Sequence, residues 1–126
     1  MTQRWIVDAM NVIGTRPDRW WKDRRGAIVR LVDHLERWAQ THERPVTVVL
    51  ERPMSPPIES SVIEIAHAPV AAANSADDEI VRLVQADREP QDLTVVTSDG
   101  ALAQRVRAAG ASVHPAASFR RLIDRE

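Results

Sequence analysis

The feature that most constrains the fold is a regular alternation of short apolar runs with longer segments of helical periodicity. Runs rich in apolar and β-branched residues predict strands at 5–7, 46–50, 62–67, 93–97 and 111–114. Apolar residues at helical spacing predict helices over about 23–41, 76–87, 100–109 and 117–125. This alternation favours an α/β fold, with a mainly parallel sheet of about five strands and helices on both faces. The connection over 52–61 is short for a helical crossover, so the direction of the third strand stays open.

Length and composition fit one domain over residues 1–126, with ordinary proportions of hydrophobic (44%) and charged (28%) residues. The absence of cysteine excludes disulfides and thiolate metal sites. No apolar run approaches the ~20 residues of a membrane span. The first residues lead directly into strand-like sequence, without the pattern of a signal peptide. We therefore expect a cytoplasmic protein with no membrane partner.

Acidic side chains follow three of the predicted strands. Asp8 follows the first, Glu51 the second and Asp99 the fourth, while Asp77 and Asp78 adjoin one another at the start of a predicted helix. The carboxyl ends of parallel strands share one edge of a sheet, which is where open α/β sheets place their sites. Crowded carboxylates raise each other's pKa values, and a divalent cation with oxygen ligands relieves that repulsion. The pattern favours a metal site at this edge.

Each acid also has an ordinary structural explanation. Ser75 is placed to cap the helix, with Asp78 at the capping-box position. Asp99 begins a helix, where a carboxylate complements the helix dipole, and Asp8 could hydrogen-bond a turn. These explanations leave Asp77 without a role, and they do not explain why the acids share one edge. No glycine-rich phosphate loop and no Ser/His/Asp arrangement competes with the metal interpretation.

The polar loop over 15–25 combines five basic residues with Trp20 and Trp21. Cations and aromatic rings together suit single-stranded nucleic acid, through phosphate contacts and base stacking. A solvated loop whose tryptophans cover the edge of the core explains the same residues, and the sequence leaves both readings open. Net charge near −1 does not by itself indicate a nucleic-acid partner. Lys22 is the only lysine, a bias that genomic base composition explains.

Three motifs carry a resemblance to a known family: Trp5–Ile13, Asn74–Ile80 and Val95–Asp99. Together they resemble the YacP-like branch of the NYN domains, bacterial nucleases related to PIN domains. The resemblance covers nearly the whole chain. It implies a PIN-like three-layer α/β/α fold and metal-dependent cleavage of RNA.

The resemblance also implies site residues. The family's acidic positions match Asp8, Asp77, Asp78 and Asp99, and its asparagine matches Asn11. Ala9 stands where the family usually has glycine, and Glu51-Arg52 stands where it usually has Asp-Gly. A further acid that often follows the last motif is absent from 101–103, so a second metal ion would be poorly held.

The first hypothesis is an Mg²⁺- or Mn²⁺-dependent endoribonuclease. Asp8 and Asp99 would hold the metal, with Asp77 or Asp78 binding it directly or through water, and Asp78 could act as the base. Asn11 and Ser98 would position water or phosphate oxygens. Candidate contacts to the RNA backbone are Arg16, Arg19, Lys22, Arg24 and Arg25.

Two other classes of function remain open. An RNA- or ribosome-binding module would bind RNA without metal and would not cleave it even with Mn²⁺. A phosphohydrolase would turn over a generic phosphate ester in a way that Asp8→Asn abolishes. PIN-like relatives often dimerise, but no surface stripe in this sequence supports a homodimer independently.

Overall fold

In the computed structural model, which describes residues 3–69 and 75–125, five strands form one sheet. They are β1 (Arg4–Asp8), β2 (Val46–Leu50), β3 (Glu64–His67), β4 (Leu93–Val96) and β5 (Ser112–His114). Their order across the sheet is β3-β2-β1-β4-β5, and each neighbouring pair is parallel. The predicted parallel sheet is confirmed. The direction that the sequence left open is also settled, since β3 runs parallel to β2.

In the described part of the chain, five α-helices accompany the sheet: α1 (Ala9–Ile13), α2 (Arg24–His42), α3 (Ser75–Ala86), α4 (Gly100–Ala108) and α5 (Ala116–Ile123). Four of them match predicted helices to within a few residues. The fifth, α1, occupies a segment for which the sequence predicted no helix. Ala9, Val12 and Ile13 are buried in this helix, but five residues are too few to show a helical period.

The helices cover both faces of the sheet, as the three-layer α/β/α prediction requires. On one face, α1, α2 and α5 pack on strand residues such as Val7 and Val96. On the other, α3 and α4 pack on the alternate residues, such as Ile6 and Val95. The three central strands, β2, β1 and β4, have buried residues on both sides, which explains why they read as continuous apolar runs.

The strand order determines where a site can form. From β1 at the centre, the chain builds β2 and β3 on one side and then β4 and β5 on the other. Beyond the carboxyl ends of β1 and β4, this reversal opens a crevice, the usual position of a site in such folds. None of the helices in the described ranges is long and apolar enough to cross a membrane.

Candidate active site

A pocket of about 280 Å³ lies at the carboxyl ends of the central strands. Its lining contains four acids, Asp8, Glu51, Asp77 and Asp99, together with Met10, Asn11, Ser75 and Ala76. No lysine, arginine or histidine of the described residues lines it. The fold therefore gathers acids from β1, from the end of β2 and from the starts of α3 and α4.

Asp8 is the buried acid of this pocket. It is the last residue of β1 and only 5% exposed. The pKa of Asp8 is raised to about 6, mainly by burial and secondly by the charge of Asp77. The Thr97 hydroxyl donates to Asp8 Oδ2 at 3.2 Å, and both this bond and the nearby Asn11 backbone N–H lower the pKa of Asp8. These interactions only partly offset the cost of a buried charge.

Asp77 and Asp99 reach the same pocket from the starts of two helices. Partial burial raises the pKa of Asp77, and the charge of Asp99 adds to this, while Arg105 acts in the opposite direction. Asp99 accepts a hydrogen bond from the Leu102 N–H at 2.9 Å, so it caps α4 through Oδ1. Asp99 therefore serves as a helix cap and as a wall of the pocket at once.

Asn11 and the loop after β4 hold the floor of the site in place. Asn11 Oδ1 accepts from the Ser98 N–H at 2.8 Å, which ties α1 to that loop. The Thr97 hydroxyl, which bonds Asp8, also accepts from the Asp99 N–H at 3.1 Å. Ser98 Oγ accepts from the Ala116 N–H at 2.9 Å. Much of the hydrogen-bonding capacity of Asn11 and Ser98 is thus committed to the protein, although Asn11 still lines the pocket.

Asp78 is not among the lining residues, although it adjoins Asp77 in sequence. Its carboxylate accepts a hydrogen bond from Arg105 Nη1 at 3.0 Å, and its side chain is 69% exposed. Consecutive residues of an α-helix lie about 100° apart around the axis, so both acids cannot face one pocket equally. Ser75, which the sequence placed as the cap of this helix, is instead the first residue of α3. Its hydroxyl donates to the Glu51 carbonyl at 3.0 Å.

The pocket suits a hard cation that keeps much of its water. Its donors are oxygens, and the raised pKa of Asp8 shows charge repulsion and desolvation that a cation would relieve. Within residues 3–69 and 75–125, no three carboxylate or imidazole groups are placed to hold one ion between them. Mg²⁺ is commonly held by one or two carboxylates and several waters. The residues present therefore fit Mg²⁺ or Mn²⁺ better than an ion that needs a complete protein cage.

The five basic residues of the 15–25 loop fall into two groups. Arg16 forms a bidentate pair with Asp124, with its shorter contact at 2.7 Å, and Arg25 donates to the Pro56 carbonyl at 2.8 Å. These two arginines tie the loop to other parts of the chain.

The second group of basic residues in this loop consists of Arg24, Arg19 and Lys22. Arg24 Nη1 lies 3.3 Å from Glu51 Oε1, at the rim of the pocket. The side chains of Arg19 and Lys22 make no hydrogen bond or ion pair with any described residue. They are therefore the members of the loop with the fewest competing partners.

Arg105 is a site neighbour that the sequence did not indicate. It lies on α4, bonds to Asp78 and lowers the pKa of Asp77. Its position depends on the packing of α4 against α3. The only sequence signal was its place in the helix that follows Asp99, which does not distinguish it from Arg107 on the same helix.

Two crystal structures of Rae1 (YacP) from Bacillus subtilis share this fold. One has a TM-score of 0.78 at 22% identity, over 97% of this chain and 74% of that chain. The other, of a mutant of the same protein, has a TM-score of 0.77 at 21% identity, over 96% of this chain and 74% of that chain. Among curated proteins, none matches. The family model of the YacP-like NYN domain matches residues 5–126. The chain therefore belongs to the YacP-like NYN domain family, a family of nuclease-like, RNA-related domains.

Proposed function

We propose that this protein is a metal-dependent endoribonuclease that hydrolyses RNA phosphodiester bonds at the carboxylate pocket. One observation carries the proposal. A buried acid with a raised pKa, Asp8, faces Asp77 and Asp99 in a crevice that no basic residue of the described chain lines. Acids perturbed by burial and by like charges cluster at functional sites. The family membership adds the substrate class, since NYN domains are RNA-related.

Asp8 and Asp99 are the residues we assign to holding Mg²⁺ or Mn²⁺, with Asp77 as a direct or water-mediated ligand. When bound, such a cation lowers the pKa of a bound water and offsets charge on the scissile phosphate. The hydrogen bond from Thr97 fixes the orientation of the Asp8 carboxylate. The cap that Asp99 forms on α4 does the same for Asp99, because one of its oxygens is anchored by Leu102.

Proton transfer is a role we assign to Asp77 in preference to Asp78. Asp77 lines the pocket and has a raised pKa, so it can accept a proton from the attacking water. Asp78 carries a hydrogen bond from Arg105 and does not line the pocket. The side-chain amide of Asn11 can donate to a phosphate oxygen or a water, because Asn11 Oδ1 is already occupied by the Ser98 N–H.

An RNA- or ribosome-binding module without catalysis is the second candidate. It is favoured by the lack, in the described residues, of three acids placed around one ion, and by the Ala-Leu-Ala sequence over 101–103. Its partner would be single-stranded or ribosomal RNA in the cytoplasm. It would bind RNA in the presence of a chelator, and the acids would contribute to folding or specificity alone.

The test is to incubate the purified protein with a long single-stranded RNA and Mn²⁺ or Mg²⁺, beside an Asp8→Asn/Asp99→Asn variant. Asp33→Asn is a matched control, because Asp33 is an exposed acid on α2. We expect cleavage by the wild type and by the control, and none by the double variant or with chelator. Binding without cleavage would favour the second candidate. Cleavage that survives the double substitution would contradict the assigned site.

A further inference from the structure

We propose that Trp21 stacks on a base of single-stranded RNA and sets where the strand crosses the carboxylate pocket. The inference rests on the proposed function. Trp21 is 56% exposed and heads the exposed large hydrophobic side chains of the described residues. An indole that remains in water gives up the burial that would stabilise the fold. Its aromatic surface is available for a ligand instead.

The local backbone presents Trp21 outward from a short, well-anchored turn. Trp20–Lys22 form a 3₁₀ turn, and Arg19 before it adopts a left-handed conformation, with φ of 58°. Left-handed backbone is unfavourable for a residue with a Cβ atom and is found where the surroundings impose it. The turn is therefore a defined feature of the loop.

The two adjacent tryptophans have different roles. Trp20 is half-buried and packs against the hydrophobic cluster on the α2 face of the sheet. The Arg24 guanidinium carbon lies 5.4 Å from the centre of the Trp20 ring. Trp21 meets Trp20 edge to face, with ring centres 5.8 Å apart, and has no other ring contact among the described residues. Trp20 thus fits the interpretation in which the loop covers the edge of the core. Trp21 does not take part in that packing.

The charges beside Trp21 select a polyanion as its partner. Arg19 precedes the 3₁₀ turn and Lys22 ends it, and neither side chain is paired with another described residue. A ring with unpaired cations beside it is the combination that binds single-stranded nucleic acid, with bases on the ring and phosphates on the cations. Duplex RNA keeps its bases stacked inside the helix, so the occupant is a single strand.

A chain of contacts joins Trp21 to the carboxylate pocket. Trp21 contacts Trp20, Arg24 lies over Trp20, and Arg24 pairs with Glu51. Glu51 lines the pocket together with Asp8. A base held on Trp21 would therefore belong to the strand whose backbone enters the pocket.

The test compares Trp21→Ala, Trp21→Phe and Val62→Ala for binding of a short fluorescent single-stranded RNA in chelator. Val62 is an exposed apolar side chain that lines a cavity at the opposite edge of the sheet, so its truncation is a matched control. We expect Trp21→Ala to weaken binding roughly tenfold, the scale of one base–aromatic stack. Trp21→Phe should retain most of the affinity, and Val62→Ala should bind as the wild type does. Equal thermal melting of the variants would confirm that all of them are folded.

Salt dependence separates stacking from charge. Trp21→Ala should leave the slope of log affinity against log salt unchanged, whereas Lys22→Ala should reduce its magnitude by about 0.7, the value for one phosphate contact to a single strand. A strand with abasic nucleotides should remove the difference between the wild type and Trp21→Ala, which a merely structural role for Trp21 would not do.

The proposal is overturned if Trp21→Ala binds as tightly as the wild type, or if the difference persists on the abasic strand. Cleavage measured with Mn²⁺ separates this outcome from failure of the proposed function. If Trp21→Ala cleaves and binds like the wild type, the stacking role is wrong and the nuclease stands. If the wild type shows the stacking signature but never cleaves, the nuclease is wrong and the stacking role stands.

Discussion

The two ends of β1 carry opposite electrostatic environments. At the amino end, Arg4 forms a two-pronged pair with Asp87, with one contact at 2.9 Å, and this pairing lowers the pKa of Asp87 to about 2. At the carboxyl end, four residues later, Asp8 is buried near other acids and its pKa rises to about 6. One edge of the sheet has charges that compensate each other. At the other edge, Asp8, Asp77 and Asp99 form no ion pair with any described residue. This contrast supports the proposed position of the site.

Cavity size alone would favour the amino edge of the sheet, opposite the proposed site. The amino edge holds a cavity of about 420 Å³, against about 280 Å³ for the carboxylate pocket. Arg4 and Asp87 line the larger cavity, but they neutralise each other across it. A site that acts on charged ligands needs groups whose charges are not already satisfied. The distribution of charge is therefore a better guide here than volume.

The largest expected difference between the two edges is in RNA cleavage. Asp8→Asn should lower the cleavage rate by about 10²- to 10⁴-fold, the usual effect of losing one acid–base or ligand group. Asp87→Asn removes the same charge at the opposite edge and should leave the rate within about twofold, because a rim pair contributes mainly to stability. Initial rates on one RNA with Mn²⁺ measure both. Equal losses in the two variants would break the distinction between the edges.

The next difference is in the free energy of unfolding without metal, which Asp8→Asn should raise and Asp87→Asn should lower. The pKa of Asp8 in the folded protein lies about two units above its ordinary 3.8. Protonation of Asp8 therefore stabilises the folded protein. This stabilisation is complete below pH 4 and is lost as the pH rises through about 6. At pH 7.5, Asp8→Asn should raise the free energy of unfolding by an amount on the order of 3 kcal/mol.

Asp87 should behave in the reverse way. Its lowered pKa favours folding above pH 4, and this contribution is lost as pH falls through about 2. Asp87→Asn should lower the free energy of unfolding at pH 7.5 by about 1 kcal/mol, a small figure because the pair remains partly solvated. Urea unfolding of both variants at pH 4 and pH 7.5, in chelator, measures these changes. The same sign for both variants at pH 7.5 would contradict the contrast.

Divalent cations should stabilise the protein only through the acids at the carboxyl edge of the sheet. At ten times its dissociation constant, Mn²⁺ should stabilise the wild type and Asp87→Asn by about 1.4 kcal/mol. It should leave the Asp8→Asn/Asp99→Asn variant unchanged. Thermal unfolding with and without Mn²⁺ measures the shift, with Ca²⁺-free buffer and chelator as the baseline. A shift that persists in the double variant would place the cation elsewhere.

The smallest effect concerns Arg105, whose charge lowers the pKa of Asp77. Arg105→Gln removes an interaction that lowers the pKa of Asp77, so the pKa of Asp77 should rise further. We expect the acid limb of the cleavage pH profile to move upward by roughly a few tenths of a pH unit, because an exposed charge is strongly screened. Arg37→Gln, which breaks an exposed pair on α2, is the control. A shift toward lower pH in Arg105→Gln would contradict this role.

Much of this site could be predicted from the sequence because strand ends are easy to read. Val46–Leu50 was predicted with the bounds that the structure has, and parallel pairing then brought Asp8 and Asp99 to one edge. The separation of Asp77 from Asp78 could not be predicted, since it depends on how α3 is rotated on the sheet. The bond from Ser98 to Asn11 depends on tertiary packing in the same way.

The measurement that tests the central claim most directly is the pKa of Asp8 by carboxyl-carbon NMR, with and without Mg²⁺. We expect a titration midpoint near 6 in chelator, because burial and the neighbouring acids disfavour the charged form. Added Mg²⁺ should lower this midpoint, because a bound cation favours the carboxylate. A midpoint near the ordinary 3.8 that does not respond to Mg²⁺ would contradict the account of an uncompensated, cation-binding edge.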